Sequence, residues 1–198
     1  MTQLVLASTS PYRKALLQRL GLAFQTVAPN IDESIQDKES PQQLVARLAE
    51  AKARAVANEF PHALIIGSDQ VAVLDGEILG KPGNHTSATK QLQNASGKLV
   101  VFYTGLCLYD NQNDKAQVAV VPYSVLFRSL SDMEIESYLQ CEQPYDCAGS
   151  FKSEGLGISL FDRMEGEDPN ALIGLPLIRL CSLLAEHGIN VLGRATST

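Results

Sequence analysis

The chain has 198 residues, 45% of them hydrophobic and 19% charged, with a formal net charge of −6. A chain of that length buries a full core without disulfide or metal staples, and its composition is that of an ordinary globular protein. The acidic balance argues against a general nucleic-acid binder, which carries a basic face, and no apolar run reaches the about 18 residues of a membrane span.

The opening segment, MTQLVLASTSPYRK, has no basic n-region and an apolar run of only Leu4 to Ala7, so it does not read as a signal peptide and the expected compartment is the cytoplasm. Gln3 to Ala7 reads as a short buried strand. Ser10-Pro11 opens a helix, with Ser as N-cap and Pro in the first helical position, running to about Leu20 before Gly21. Ala23 to Ala28 predicts a second strand, and Asn30 to Glu39 a polar, acidic loop. Ser40-Pro41 repeats the helix start, and Leu44, Val45, Leu48, Ala51 and Ala55 follow at helical spacing towards Phe60-Pro61.

Ala63 to Ile66 is a continuous apolar run, the mark of a strand covered on both faces. Asp75-Gly76 predicts a hairpin between Val71–Leu74 and Glu77–Leu79. A helix from His85 to Ala95 ends at Gly97, and two long strands follow, Lys98 to Tyr109 and Ala116 to Phe127. Ser131-x-x-Glu134 is a capping box that starts a helix to about Gln140. Gly149 to Gly157 reads as a loop, Ile158 to Phe161 as a short strand, and Leu175 to His187 as a buried helix. The tail from about Gly193 is expected to be loose. No linker or repeat interrupts the pattern, which is α/β with antiparallel hairpins in the middle, and residues 1–198 are expected to form one domain.

The cysteines (Cys107, Cys141, Cys147, Cys181) form no C-x-x-C pair and the three histidines are scattered, which disfavours zinc and favours free thiols. Two cations stand out instead. At 3.6 residues per turn, Arg13 falls about 100° from Tyr12, inside the stripe of Leu16, Leu17 and Leu20, and Lys52 falls about 80° from Leu44, between Leu48 and Val45. A cation on an apolar stripe needs an anionic partner or else snorkels to water. Ser8-Thr9-Ser10 joins a strand to a helix start, where backbone N–H groups and the helix dipole favour an anion. Asp69, in Gly67-Ser68-Asp69-Gln70, follows a buried strand, the place where α/β proteins put ligands. Asp32-Glu33 offers a further carboxylate. Two carboxylates beside a polyphosphate suit Mg²⁺ or Mn²⁺. Gly76-x-x-x-Gly80-Lys81-Pro82 lacks the spacing and the hydroxyl of a Walker motif, although Lys81 can reach a phosphate from a loop.

These blocks resemble the Maf nucleoside triphosphate pyrophosphatases: Ala7-Ser8-Thr9-Ser10-Pro11-Tyr12-Arg13, Asp32-Glu33, Leu48-Ala49-Glu50-Ala51-Lys52-Ala53, Gly67-Ser68-Asp69-Gln70-Val71, Gly80-Lys81-Pro82, Ala148-Gly149-Ser150-Phe151 and Gly174-Leu175-Pro176-Leu177, all in the family's order. The resemblance implies a bent mixed β-sheet flanked by helices, ITPase-like, with two lobes around a nucleotide cleft, often as a homodimer. It implies hydrolysis of a nucleoside triphosphate to monophosphate and diphosphate. It gives Asp69 as proton acceptor, Glu33 and Asp69 as metal ligands, and Ser8, Arg13, Lys52 and Lys81 as phosphate ligands. Tyr12, where the common form has Arg, and Lys152-Ser153-Glu154, where it has Ile-Gln-Gly, resemble the subgroup acting on 7-methyl-GTP. There Tyr12, Gln70 and Glu154 would read the base. N7-methylation makes guanine cationic, so an aromatic face and a carboxylate suit it. Hydrolysis of dTTP or UTP, and a non-catalytic regulator of septum formation, are the alternatives. No nucleic-acid or membrane partner is implied.

Overall fold

The computed structural model describes residues 3–194. Seven strands and six α-helices follow one another as β1 (Gln3–Ala7), α1 (Pro11–Gln18), β2 (Gln25–Val27), α2 (Pro41–Ala55), β3 (Ala63–Leu74), β4 (Glu77–Leu79), α3 (His85–Ala95), β5 (Leu99–Asp110), β6 (Lys115–Phe127), α4 (Asp132–Glu142), β7 (Phe161–Gly166), α5 (Pro169–Ile173) and α6 (Leu177–Glu186). The strands form one mixed sheet in the order β2-β1-β3-β5-β6-β7, with β4 on β3. β1 runs parallel to both β2 and β3, whereas β3–β4 and β6–β7 are antiparallel.

The chain groups into two compact units. The first holds residues 1–70, 104–121 and 168–198. Its strands alternate strictly, as the pleat requires. Leu4, Leu6, Leu64, Ile66, Leu106 and Leu108 face α1 and α6 through Leu16, Leu17, Leu180 and Leu184. Val5, Ala7, Ala63, Ile65, Cys107 and Tyr109 face α2 through Ala49, Ala53 and Val56. Two glycines let α2 come closer than any side chain would permit. A Cβ on Gly67 would overlap the Ala49 carbonyl oxygen, and one on Gly105 would overlap that of Val45.

The second unit, residues 71–103 and 122–167, packs around edge-to-face phenylalanines. Phe151 lies 5.3 Å from Phe102, 5.7 Å from Phe127 and 4.8 Å from Phe161, centroid to centroid. α3 and α4 close this core with Leu92, Ile135 and Leu139. The Ser131–Glu134 capping box forms as read from the sequence, with both reciprocal bonds in place.

Three expectations change. β3 does not stop at Ile66 but runs on through Asp69 to Leu74, joining two stretches that Gly67 and Ser68 divide in the sequence. Ile158 to Phe161 is not a strand: 156–160 wind as a 3₁₀ helix and the strand starts at Phe161. β7 and α5 have no counterpart in the sequence reading, the first because its residues, FDRMEG, carry few apolar side chains, the second because it is a single turn. Leu192–Arg194 form a short 3₁₀ turn, and the remainder of the expected loose tail lies outside the described residues.

Candidate active site

The parallel register fixes where the site begins. Ala7 pairs with Gly67, so Ser8 leaves β1 level with Ser68, where the parallel β1–β3 pairing ends and β3 runs on beyond β1. Asp69 follows two residues beyond Gly67. This is the edge where parallel sheets place ligands.

The stripe cation Lys52 comes down on Asp69. Its Nζ donates to Asp69 Oδ1 at 2.6 Å and lies 2.9 Å from Glu33 Oε1. Lys52 and Asp69 are buried, at 6% and 7% exposure, while Glu33 is largely open to solvent. The close seating of α2 over Gly67 explains the geometry, because Ala49 and Ala53 touch the strand backbone there and Lys52 lies between them on the helix. The Glu33 loop is tied to the same helix. Arg47 grips Glu39 through both Nε and Nη2, at 2.6 and 2.7 Å, and Nη2 also donates to the Ser34 carbonyl. Asp32 turns the chain by accepting from the Ser34 N–H and hydroxyl, and takes no part in the Lys52 contact.

Arg13 is the other stripe cation, and it too turns inward. Its Nε donates to the Gly174 carbonyl at 2.8 Å. Burial pushes the guanidinium pKa down, and the charges of Asp69 and Glu33 partly oppose that push. One of its five donors is spent on Gly174. The approach is tight, since a Cβ on Gly174 would stand 3.4 Å from Nε. The Ser68 hydroxyl, fully buried, lies 2.9 Å from that carbonyl and 2.8 Å from the Gly105 carbonyl. The sequence reading does not find Ser68 and Gly174 as positioning groups. Both stand in the quoted motif blocks, but nothing in the sequence announces a contact across 106 residues.

The loop from Ser8 to Ser10 differs in detail from the expected anion cradle. Ser8 Oγ accepts from the Ser10 N–H at 3.1 Å and Ser10 Oγ from the Arg13 N–H at 3.4 Å. The loop caps itself, so two amides that a bare helix start would offer are already satisfied.

Gln70 turns its amide nitrogen to Thr104 Oγ1 and to the Ala171 and Leu172 carbonyls, at 3.0, 2.7 and 3.0 Å. It thereby holds α5, whose end presents Gly174 to Arg13. Tyr12 is half-buried beside Arg13 on α1. Lys81 and Glu154 belong to the second unit, both exposed. Glu154 makes no ion pair with Lys152, whose Nζ donates instead to the Glu142 carbonyl. Thus Arg13, Glu33, Lys52 and Asp69 share one electrostatic site, Ser8 opens the loop leading into it, and Lys81 and Glu154 stand on loops of the other unit.

A family model described as "Maf-like protein" matches residues 3–187. The chain belongs to the Maf family. Among Maf relatives, a Colwellia psychrerythraea protein named 7-methyl-GTP pyrophosphatase is 60% identical over 192 residues, covering 97% of this chain and 96% of that one. Proteins of the same name from Methylobacillus flagellatus and Nitrosococcus oceani are each 59% identical, covering 97% and 96% of this chain and 100% and 95% of their own. The Staphylococcus aureus Ham1 protein shares the fold at 12% identity, with a TM-score of 0.52, 94% of this chain and all of that one being covered. The α/β mixed sheet expected of a Maf protein is therefore present.

Among the described residues no group of three or more His, Cys, Asp and Glu side chains is arranged to hold a metal, and no helix is long and apolar enough to cross a membrane.

Proposed function

We propose that this Maf protein hydrolyses 7-methyl-GTP to 7-methyl-GMP and diphosphate. The observation that carries the reading is the buried Lys52–Asp69 contact with Glu33 alongside. Two carboxylates and a cation are thereby held ready where the parallel β1–β3 pairing ends. The names of the relatives at about 60% identity supply the substrate.

In this reading water attacks the α-phosphorus. The new O–P bond forms as the bond to the bridging oxygen breaks, and diphosphate leaves. Asp69 orients the water and accepts its proton, a contribution of about 10²–10⁴ in rate for a positioned general base. Arg13, already fixed at Nε, offers its remaining N–H groups to phosphate oxygens, where charge grows in the transition state. Ser8, Lys52 and Lys81 bind the other phosphate oxygens.

The donor set fits a hard divalent cation, Mg²⁺ or Mn²⁺. Asp69 and Glu33 both bond one Lys52 nitrogen, so the two carboxylates stand as neighbours with the ammonium between them. Two carboxylates with no third ligand is the usual protein share of a Mg²⁺ site, substrate oxygens and water completing it. Bound there, the cation would neutralise phosphate charge. Tyr12 and Glu154 read the positive 7-methylguanine by stacking and by charge-assisted hydrogen bonds. Gln70 acts at the base through the α5 turn that it holds. Four cysteines held as thiols suit the reducing cytoplasm in which we place the enzyme.

The test is diphosphate release from 7-methyl-GTP, GTP, dTTP, UTP and CTP, each with Mg²⁺ or Mn²⁺. The expected outcome is preference for 7-methyl-GTP and a fall of about 10²-fold or more in kcat for Asp69→Asn. Preference for dTTP or UTP would overturn the substrate, and full turnover by Asp69→Asn would overturn the mechanism. No turnover of any nucleotide would favour a binding regulator.

A further inference from the structure

Lys81 and Glu154 sit on two loops of the second unit, and one side chain touches the roots of both. Gln91 lies on α3, half-buried. Its amide nitrogen donates to the Gly80 carbonyl at 3.0 Å, the peptide group that leads into Lys81. Its amide oxygen accepts from the hydroxyl of Ser150, which opens the segment running to Glu154. A primary amide is well matched to this place, since it carries a donor and an acceptor on one plane.

The second loop is held under strain at this point. Ser150 is fully buried, yet its φ is +62°, a region that a residue with a Cβ adopts only when its surroundings enforce it. Strain of that kind collects at functional sites. Each loop also has an anchor of its own. The Gly83 N–H donates to the Tyr145 carbonyl at 2.9 Å, and the Lys152 N–H to the Tyr138 hydroxyl at 3.0 Å. Gln91 is the group through which the two loops share one support.

We infer that Gln91 is a positioning residue that holds Lys81 and Glu154 in fixed relation, so that one nucleotide meets a phosphate ligand and a base ligand together. The inference rests on the roles given above to Lys81 and Glu154. It adds to them a coupling that neither loop has alone.

Two variants separate the arms. Gln91→Glu is nearly isosteric and keeps an acceptor for Ser150, but has no donor for Gly80. Ser150→Ala removes only the other bond. Both are assayed for diphosphate release on 7-methyl-GTP and GTP, beside Lys81→Ala and Glu154→Gln. For Gln91→Glu, KM should rise about fivefold or more with kcat held within about twofold, the signature of lost binding without lost chemistry. For Ser150→Ala, the preference for 7-methyl-GTP over GTP should fall by about fivefold or more. If Ser150→Ala does not fold, Ser150→Gly, which removes the same hydroxyl and relieves the left-handed φ, should lose the preference as Ser150→Ala would, and Gln91→Leu should both raise KM and lose the preference. The inference is overturned if KM and the preference stay within about twofold of wild type, or if only kcat falls, equally for both nucleotides. Silence of Lys81→Ala and Glu154→Gln would instead remove the ligand roles themselves, whatever Gln91→Glu does.

Discussion

Lys52 carries two burdens, and a double substitution separates them. It is the buried counter-charge of Asp69 at 2.6 Å, and in the proposed reaction it binds phosphate. Lys52→Met strands a buried carboxylate, so unfolding in urea at pH 7 should show a loss of about 3 kcal/mol. Adding Asp69→Asn should restore most of that stability, because no charge is left orphaned, while activity stays lost. A loss that the second change does not repair would mean that Lys52 contributes mainly packing. Cysteine chemistry gives a second residue-scale check. Burial pushes the Cys107 thiol up to about 12, whereas Cys141 is exposed. A thiol reagent at neutral pH should modify Cys141 in the native protein and reach Cys107 only on unfolding. Arg13 and Lys52 are legible in the sequence because helical geometry puts a charge on an apolar stripe. Ser68 and Gly174 are not, because a backbone carbonyl has no sequence signature.

At the scale of elements, the helices announce themselves through their caps. Ser10, Ser40 and Ser131 each accept from the N–H three residues on, where the Ser-Pro and Ser-x-x-Glu signals place them. Strands are harder to read. A 3₁₀ turn and a short strand both show brief apolar runs, and Gly155 and Gly157 allow the chain to wind where alternation suggests extension. The cap of α4 makes a pH prediction. The Ser131 N–H, Arg128 and the Ser131 hydroxyl hold the Glu134 carboxyl down to about 2, against about 4.3 for an unfolded chain. Its stabilisation is therefore complete above about pH 4.5 and is lost as the pH falls towards 2. The melting temperature of Glu134→Gln should lie below wild type at pH 7, and the gap should close near pH 2. The seat of α2 gives another prediction. Gly105→Ala sets a methyl group against the Val45 carbonyl. It should cost about 1–3 kcal/mol in denaturant unfolding and lower kcat by shifting Lys52.

Across the whole molecule, the chain passes between its two units within β3, β5 and β6 as well as after β7. Three of those crossings lie inside strands, which supports the proposal of one domain. Thermal unfolding followed by far-ultraviolet circular dichroism and by tyrosine fluorescence should then give coincident transitions. Two resolved steps would mean that the units melt as independent bodies. The motif order along the chain brings out the architecture through the family resemblance, since the blocks themselves fall at varied places: Ser8 to Pro11 between β1 and α1, Lys52 inside α2 and Asp69 inside β3. The tie from Gln70 to α5 and the bridge made by Gln91 depend on distant chain segments meeting, and local chemistry carries no trace of that.

The bare backbone at Gly67 and Gly105 bears on how such a protein can change over evolutionary time. Those two positions admit α2 along one line only, so the placement of the Lys52 ammonium is inherited as a helix path and not as a private set of contacts. Apart from Arg47 and Arg54, which make ion pairs, sequence on the outer face of α2 can drift while the cation stays where it is. The loops bearing Lys81 and Glu154 are held instead by hydrogen bonds, those of Gln91 among them, and it is by changing such ties that a lineage would acquire a new base.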